Sequence, residues 1–410
     1  VKQFVRQFRS FGRPSRLLMV NQFGINLGFY LLMPYLAGYL SGPLGLAGWA
    51  VGLVLGMRNF SQQGMFLVGG TLADRFGYKP LIVAGCLLRT GGFALLGLVN
   101  SLPALIVASA ATGFAGALFN PAVRAYLAAD AGERRLEAFA VFNVFYQGGI
   151  LIGPIVGLAL TAVDFRLTCL IAAAVFAVLT IVQLRALPEQ ETGGESRREP
   201  VLAGWRVIAA NRTFVLFSLV MAGSYVLSFQ TYLALPMEVR RIAPSAAVGD
   251  VVVATLFLVS GGLALAGQLK ITAWLRARWS AGNCLAAGLF LMAAAFVAPL
   301  VAARTGPVGG AIAVVAAAAL LALGTVAVFP FEMDTIVRLS GDRLVATHYG
   351  FYNTFVGVGI LIGNLGTGVV FDLARAGGWP EAPWLGLIVI GALCAIGVRK
   401  LDRSRGLVQV

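Results

Sequence analysis

Long apolar runs separated by short polar breaks make up almost the whole chain. Twelve of them reach about 20 residues, the length a helix needs to cross the hydrocarbon core of a bilayer. They cover 16–40, 47–72, 80–99, 102–128, 138–160, 167–187, 213–236, 250–272, 281–303, 308–331, 347–370 and 383–401, and are numbered spans 1 to 12 in that order. The runs are continuous, not ten-residue stretches of alternating polarity, which favours helices over a barrel. The predicted class is an all-α membrane protein with twelve transmembrane helices.

An internal repeat divides these helices into two similar sets. Gly149-Ile-Leu-Ile-Gly153 recurs as Gly359-Ile-Leu-Ile-Gly363, with Asn143 and Phe145 matching Asn353 and Phe355 in the same register. Ala131-Gly-Glu-Arg134 is echoed by Ser340-Gly-Asp-Arg343, and Tyr30-Leu-Leu-Met-Pro34 by Tyr232-Leu-Ala-Leu-Pro236. The offsets of 210, 209 and 202 residues are close to half the chain. Six crossings return the chain to its starting side, so the halves share one orientation and a pseudo-two-fold along the membrane normal. The expected organisation is a six-helix bundle over 1–187, a linker over 188–212 and a second six-helix bundle over 213–410. The linker is polar and charged and too short for a domain; Trp205 and Arg206 suit a surface helix there.

Composition agrees with a lipid-facing exterior. Of 410 residues, 59% are hydrophobic and only 12% charged, with mean hydropathy +0.86, against about 25% charged in soluble domains. The 51 glycines would weaken soluble helices but let membrane helices approach closely. The net charge of +14 is explained by topology. With the N-terminus in the cytoplasm, 23 of 31 basic residues fall on the cytoplasmic side and five (Arg166, Arg240, Arg241, Arg304, Arg375) on the other, as the positive-inside rule requires. No nucleic-acid partner is needed. The basic segment Lys2–Arg16 precedes an apolar run too long for a signal peptide and is expected to stay in place. The cysteines 86, 169, 284 and 394 lie in apolar runs without metal-ligand or disulfide spacing and read as packing residues.

Between spans 2 and 3 the chain reads Gly69-Gly70-Thr-Leu-Ala-Asp74-Arg75-Phe-Gly77-Tyr78-Lys79. This resembles the Gly-x-x-x-Asp-Arg-x-Gly-Arg-Lys loop motif of the major facilitator superfamily, with Tyr78 in place of a basic residue. Physically it reads as a latch. Gly70 lets two helices touch, Gly77 permits a tight turn, and Asp74 accepts hydrogen bonds at a helix N-terminus. Arg75 or Lys79 pairs with an acid at the end of span 4, for which Asp130 is the candidate, followed by Arg134. Such a latch holds an outward-open state and releases on protonation or substrate binding. In span 5, Gly149-x-x-x-Gly153-Pro154-x-x-Gly157 is similar to the antiporter motif of the superfamily's drug-exporting branches; glycines four apart form a groove for a partner helix and the proline bends it. The span 11 copy has Asn364 instead of proline. Gly56-Met-Arg58-Asn-Phe-Ser-Gln62-Gln63-Gly64 resembles MdtH-type bacterial multidrug exporters. The branch often carries an arginine in span 4 four residues before a glycine; here Ser109 precedes Gly113, and Arg124 lies further along.

The resemblance implies a drug/proton antiporter of the superfamily fold that works by alternating access, with no cofactor and the proton gradient as energy source. It places spans 1, 4, 7 and 10 around a central cavity. Polar stripes at helical spacing occur on all four: Gln22, Asn26 and Tyr30; Asn120 and Arg124; Tyr225, Ser228 and Tyr232; Thr325, Phe329 and Glu332. Facing lipid they would lack partners, which leaves cavity lining or interhelical bonding. Proton coupling needs a group whose proton affinity changes between states, which a carboxylate that is alternately buried and wetted provides. The candidates, in order, are Glu332, Asp334 and Glu238. Arg58 and Arg89 lie mid-span without an acid nearby in those spans, either held by carbonyls or facing an anion. His348, the single histidine, fits a capping or interfacial role.

Two transport readings follow: proton-coupled efflux of amphipathic small molecules, including drugs, or a specific carrier for a metabolite or lipid-like anion, motivated by Arg58, Arg89 and Arg124. The expected partners are substrate, protons and lipid, in a monomer of the bacterial inner membrane with both termini cytoplasmic. A channel is a further transport class. A membrane enzyme is disfavoured, because no metal cluster, phosphate loop or Ser–His arrangement can be assembled around one histidine.

Overall fold

The computed structural model describes residues 2–189, 208–302, 305–340 and 345–405, and all regular structure among them is helical. Linker residues Trp205 and Arg206, loop residues Asp342 and Arg343, and the side chains of Asp74 and Arg75 lie outside the described residues.

Among the described residues, eleven helical stretches are long and apolar enough to cross a membrane. Span 2 is the exception. It consists of Gly48–Gln63 and Phe66–Phe76, separated by a turn at Gly64 and Met65. The polar run Ser61-Gln62-Gln63-Gly64 accounts for the break, since it offers little apolar surface and ends in glycine, a poor residue for a helix interior. Spans 3 to 6 are the helices Tyr78–Leu98, Leu102–Ala131, Arg135–Thr161 and Phe165–Ala186. Spans 8 and 10 to 12 are Ala246–Arg276, Pro307–Ser340, Val345–Gly377 and Ala382–Arg405, and span 9 is Ala281–Ala295 followed by Val297–Ala302.

Two spans are broken by the same device. Span 1 divides into Arg13–Tyr30 and Met33–Ser41, and span 7 into Arg212–Ser228, a 3-10 turn at Phe229–Thr231, and Ala234–Ile242. Pro34 and Pro236 follow these breaks. A proline ring excludes the carbonyl four residues earlier and offers no N–H, and those carbonyls belong to Tyr30 and Tyr232. The Tyr-to-Pro echo in the sequence is therefore a repeated kink. Pro121 and Pro330 repeat as well, 209 residues apart inside the long span 4 and span 10 helices.

By packing, the chain forms two compact units: Val1–Met33 with Ser61–Glu199, and Pro34–Phe60 with Pro200–Val410. The repeat-based boundary assigns 34–60 to the first bundle, whereas packing carries it with the second unit. Contacts within that unit explain this. Asp372, near the end of span 11, accepts from the Gly48 N–H at 2.7 Å and the Trp49 N–H at 2.8 Å. These are orphan donors at the start of the Gly48–Gln63 helix, so Asp372 acts as its N-cap from another helix. Further along the same pair, a Cβ at Gly52 would collide with the Asn364 carbonyl, and one at Gly56 would lie 2.9 Å from Leu361. The end of span 1 is held by Arg240, whose Nε donates to the Gly38 carbonyl at 3.1 Å.

In the first unit, span 1 lies in the groove of span 5. A Cβ on Gly149 would come within 2.6 Å of Asn26 and of the Phe23 carbonyl, and one on Gly153 would strike Tyr30. Asn26 Nδ2 also donates to the Tyr146 carbonyl at 2.8 Å. The second unit repeats the arrangement with span 7 against span 11, where Gly359 faces Ala222 and Gly363 faces Val226.

Two stability outcomes are expected. Gly153→Leu should displace span 1 and cost at least the roughly 1–3 kcal/mol of overpacking, read as loss of monodisperse protein on gel filtration. Gly366→Leu, where a Cβ meets open space, should not. Asp372→Ala should lower the thermal midpoint by an amount equivalent to about 0.5–2 kcal/mol, the usual worth of an N-cap, and Asp372→Asn by less. An unchanged midpoint in both Asp372 variants would show that the cap contributes nothing.

Candidate functional site

The carboxylates proposed for proton coupling are placed in three different settings. Glu238 is buried but committed to Arg241, with both oxygens bonded at 2.6 and 2.9 Å. Asp334 is half-exposed and pairs with Arg338 one helical turn away at 2.9 Å. Glu332 differs. It is 2% exposed, and among the described residues no cation lies within ion-pair distance of it. Its partner is the Tyr352 hydroxyl on span 11, which donates to Oε1. A phenol suits this place because it can donate to a carboxylate and accept from a carboxylic acid.

Aromatic side chains enclose this pair. Tyr352 lies 6.3 Å from the Tyr225 ring and 6.4 Å from Phe217, both on span 7. The series continues through Phe229 and Tyr232 to Phe257 on span 8, with centroid separations of 6.4, 5.7 and 5.2 Å. Beside it Ser228 and Thr325 meet, hydroxyl to hydroxyl, at 3.3 Å. The polar stripes of spans 7 and 10 are thus brought together within the second unit, with Phe329 on span 10 exposed. The 3-10 turn sets the direction of this wall: it interrupts the helix at Phe229–Thr231, so Tyr232 follows the bend toward span 8.

The first unit treats its stripes differently. Gln22 and Asn26 are buried, bonded to each other at 3.3 Å and to span 5. They act in the interhelical sense, and Tyr30 covers Gly153. Asn120 is half-buried and Arg124 exposed on span 4. Pro154 lies inside the span 5 helix and Gly157 is buried.

The loop motif is placed in part. Gly77 has φ +92° and ends the helix at Phe76, a conformation that favours glycine. Lys79 is half-buried. The close approach belongs to Gly69, where a Cβ would strike the Ala117 carbonyl; a Cβ on Gly70 would meet open space. The two residues point to different faces of their helix, which corrects the role expected of Gly70. Asp130 is also engaged elsewhere than expected. It accepts from the Ser15 N–H at 3.2 Å and from the Ser15 hydroxyl, capping the start of span 1, and no Asp130–Lys79 ion pair forms. Arg134 donates to Ser10 at 2.9 Å and covers the Phe11 ring. The loop after span 4 therefore fastens the N-terminal segment.

Arg89 is 3% exposed. It donates to the Thr112 carbonyl at 3.3 Å and lies 4.8 to 5.3 Å from the rings of Phe119, Phe29 and Phe176. Aromatic faces and a carbonyl help to hold this buried cation. Arg58 donates to Asn59 at 3.1 Å. His348 is buried edge-on against Phe214 at 4.8 Å, so it packs within the bundle rather than at an interface. Tyr352 and Asp372 belong to none of the sequence motifs or polar stripes. The signal for Tyr352 was present in His348, Tyr349 and Tyr352, a polar face on span 11; a lone Asp372 near a helix end gave none.

The sequence pattern of the Major Facilitator Superfamily matches residues 18–364. An uncharacterized MFS-type transporter of Mycobacterium tuberculosis (strain ATCC 25618 / H37Rv) is 58% identical over 398 residues, covering 96% of this chain and 94% of that protein. Multidrug resistance protein MdtH of Salmonella schwarzengrund is 31% identical over 388 residues, covering 94% and 93%. Among solved structures, a mutant of the nucleoside transporter NupG superposes with TM-score 0.81 at 15% identity, covering 94% of this chain and 99% of that one. The POT family transporter PepTSo gives 0.77 at 14% identity, covering 98% and 99%; at these identities the likeness is one of fold. The apolar spans, the repeated kinks and these matches converge, and the chain belongs to the major facilitator superfamily of multi-pass membrane transporters, which are not enzymes.

Proposed function

We propose that this transporter exports amphipathic small molecules, drugs among them, in exchange for protons. The reading rests on Glu332, a buried carboxylate with a hydroxyl partner and no counter-charge among the described residues, next to a wall of aromatic rings. Glu238 and Asp334 already hold arginines, so they rank behind it. Aromatic faces supply broad apolar contact without fixed charge, which suits varied substrates. The relatives named Multidrug resistance protein MdtH support the same substrate class.

In this scheme the two six-helix halves, 1–187 and 213–410, alternate access to a shared central path. The motif residues Asp74, Arg75, Gly77 and Lys79 form the latch on one side, with Gly69 in place of Gly70 as the close-contact glycine. Glu332 takes a proton from the outside and releases it inside, with Tyr352 following its charge state. No cofactor is needed beyond the proton gradient. The protein acts as a monomer in the bacterial inner membrane, with both termini cytoplasmic. The anion-carrier reading has less support, because Arg89 donates to Thr112 beside three rings and Arg58 bonds to Asn59, which leaves the exposed Arg124 as its motive.

Glu332→Gln should abolish proton-driven uptake of a cationic dye into everted vesicles, with expression and gel-filtration profile intact, while dye-for-dye exchange continues. Normal proton-coupled transport by this variant would remove Glu332 from the mechanism.

A further inference from the structure

The second unit holds a cavity that the transport site does not use. It lies among spans 8, 9 and 10 and has a volume of about 590 Å³, within the range of roughly 300–1,000 Å³ common for small-molecule sites. Its walls are nearly all apolar, formed by residues such as Cys284, Ala287 and Leu323, with Lys270, Trp274 and Trp279 at one end.

That end has a particular chemistry. Lys270 stands just beyond the apolar stretch Ala246–Gly267, and it is the one charged residue lining the cavity. It is exposed and has no hydrogen-bond or ion-pair partner among the described residues. The segment Lys270-Ile-Thr-Ala-Trp-Leu-Arg276-Ala-Arg278 contains three cations and no acid. Arg278 covers the Trp274 ring at 4.7 Å, and Trp274 meets Trp279 edge-on at 5.9 Å. Both tryptophans remain open to the surroundings, at 49% and 44% exposure.

Tryptophans gather where hydrocarbon meets head groups, and basic pockets between transmembrane helices bind acidic lipid head groups. A lysine at the mouth of an apolar cavity needs an anion whose tail can enter that cavity. We propose that this groove seats an anionic phospholipid, with one acyl chain in the cavity and its phosphate on Lys270 and Arg278. The acyl chain fills the apolar slot lined by spans 8, 9 and 10, and the phosphate supplies the negative charge that the basic end of span 8 lacks. The lipid is favoured over a soluble anion by the depth and apolarity of the slot, and over a neutral lipid by the three unopposed cations.

Native mass spectrometry of the full chain tests this, with phosphatidylglycerol or phosphatidylcholine added to the detergent-purified protein. The wild type should retain phosphatidylglycerol and release phosphatidylcholine. Lys270→Gln and Arg278→Gln should each weaken phosphatidylglycerol retention by roughly fivefold, the worth of one surface cation. Ala287→Phe, which fills the cavity without touching the charges, should also reduce it. Brominated acyl chains should quench tryptophan fluorescence in the wild type, and less so in Trp274→Phe. Equal retention of both lipids by the wild type would overturn the proposal, as would unchanged phosphatidylglycerol binding in Lys270→Gln. Should Ala287→Phe fail to fold, Lys270→Gln still decides, because that side chain is exposed and supports no described contact.

Discussion

Everything distinctive in this molecule follows from one constraint: a polar group inside an apolar bundle has to find its partner within the protein. The solutions differ in kind. Asn26 uses a carbonyl on the next helix. Arg89 uses a carbonyl and three ring faces, a permanent arrangement for a charge that is never lost. Glu238 uses an arginine on its own helix. Glu332 is left with a phenol, the one partner in this set that serves a carboxyl group in either protonation state. The contrast between a fixed Arg89 and an adaptable Glu332 is what separates structure from candidate chemistry here.

The duplicated halves express a second constraint, on helix geometry. Pro34 and Pro236 interrupt spans 1 and 7, Pro121 and Pro330 sit inside spans 4 and 10, and paired glycines open spans 5 and 11 to a neighbour. These repeats are more faithful in backbone-shaping residues than in side-chain chemistry. The polar stripe of span 1 is buried against span 5, whereas that of span 7 joins an aromatic wall with span 10. One half has thus kept the scaffold while the other carries the carboxylate.

The fold was largely legible in the sequence, because hydrophobic length and the echoed motifs are local signals that survive translation into helices. The end of span 2 was less so: apolar enough on average, it breaks at Gly64 and Met65 where the polar run Ser61-Gln62-Gln63 interrupts it. Placement of Glu332 on a polar stripe was readable from spacing. The polar face of span 11 that holds Tyr352 was readable too, but its pairing with Glu332 was not, since spacing along one helix says nothing of what a neighbouring helix presents. The same limit separates Gly69 from Gly70 and sends Asp130 to Ser15. Which of two adjacent glycines touches a neighbour depends on a rotation of about 100° per residue, and no motif records the neighbour.

The cap at the start of span 2 has a mechanical corollary. Asp372 spends both oxygens on two successive N–H groups, and a carboxylate is rigid and planar. A single turn of the side chain therefore frees both donors together, and neither can be let go alone. Contact between these two helix ends is consequently fastened or open with little in between, in contrast to the graded sliding that the glycine-lined stretch below it would allow.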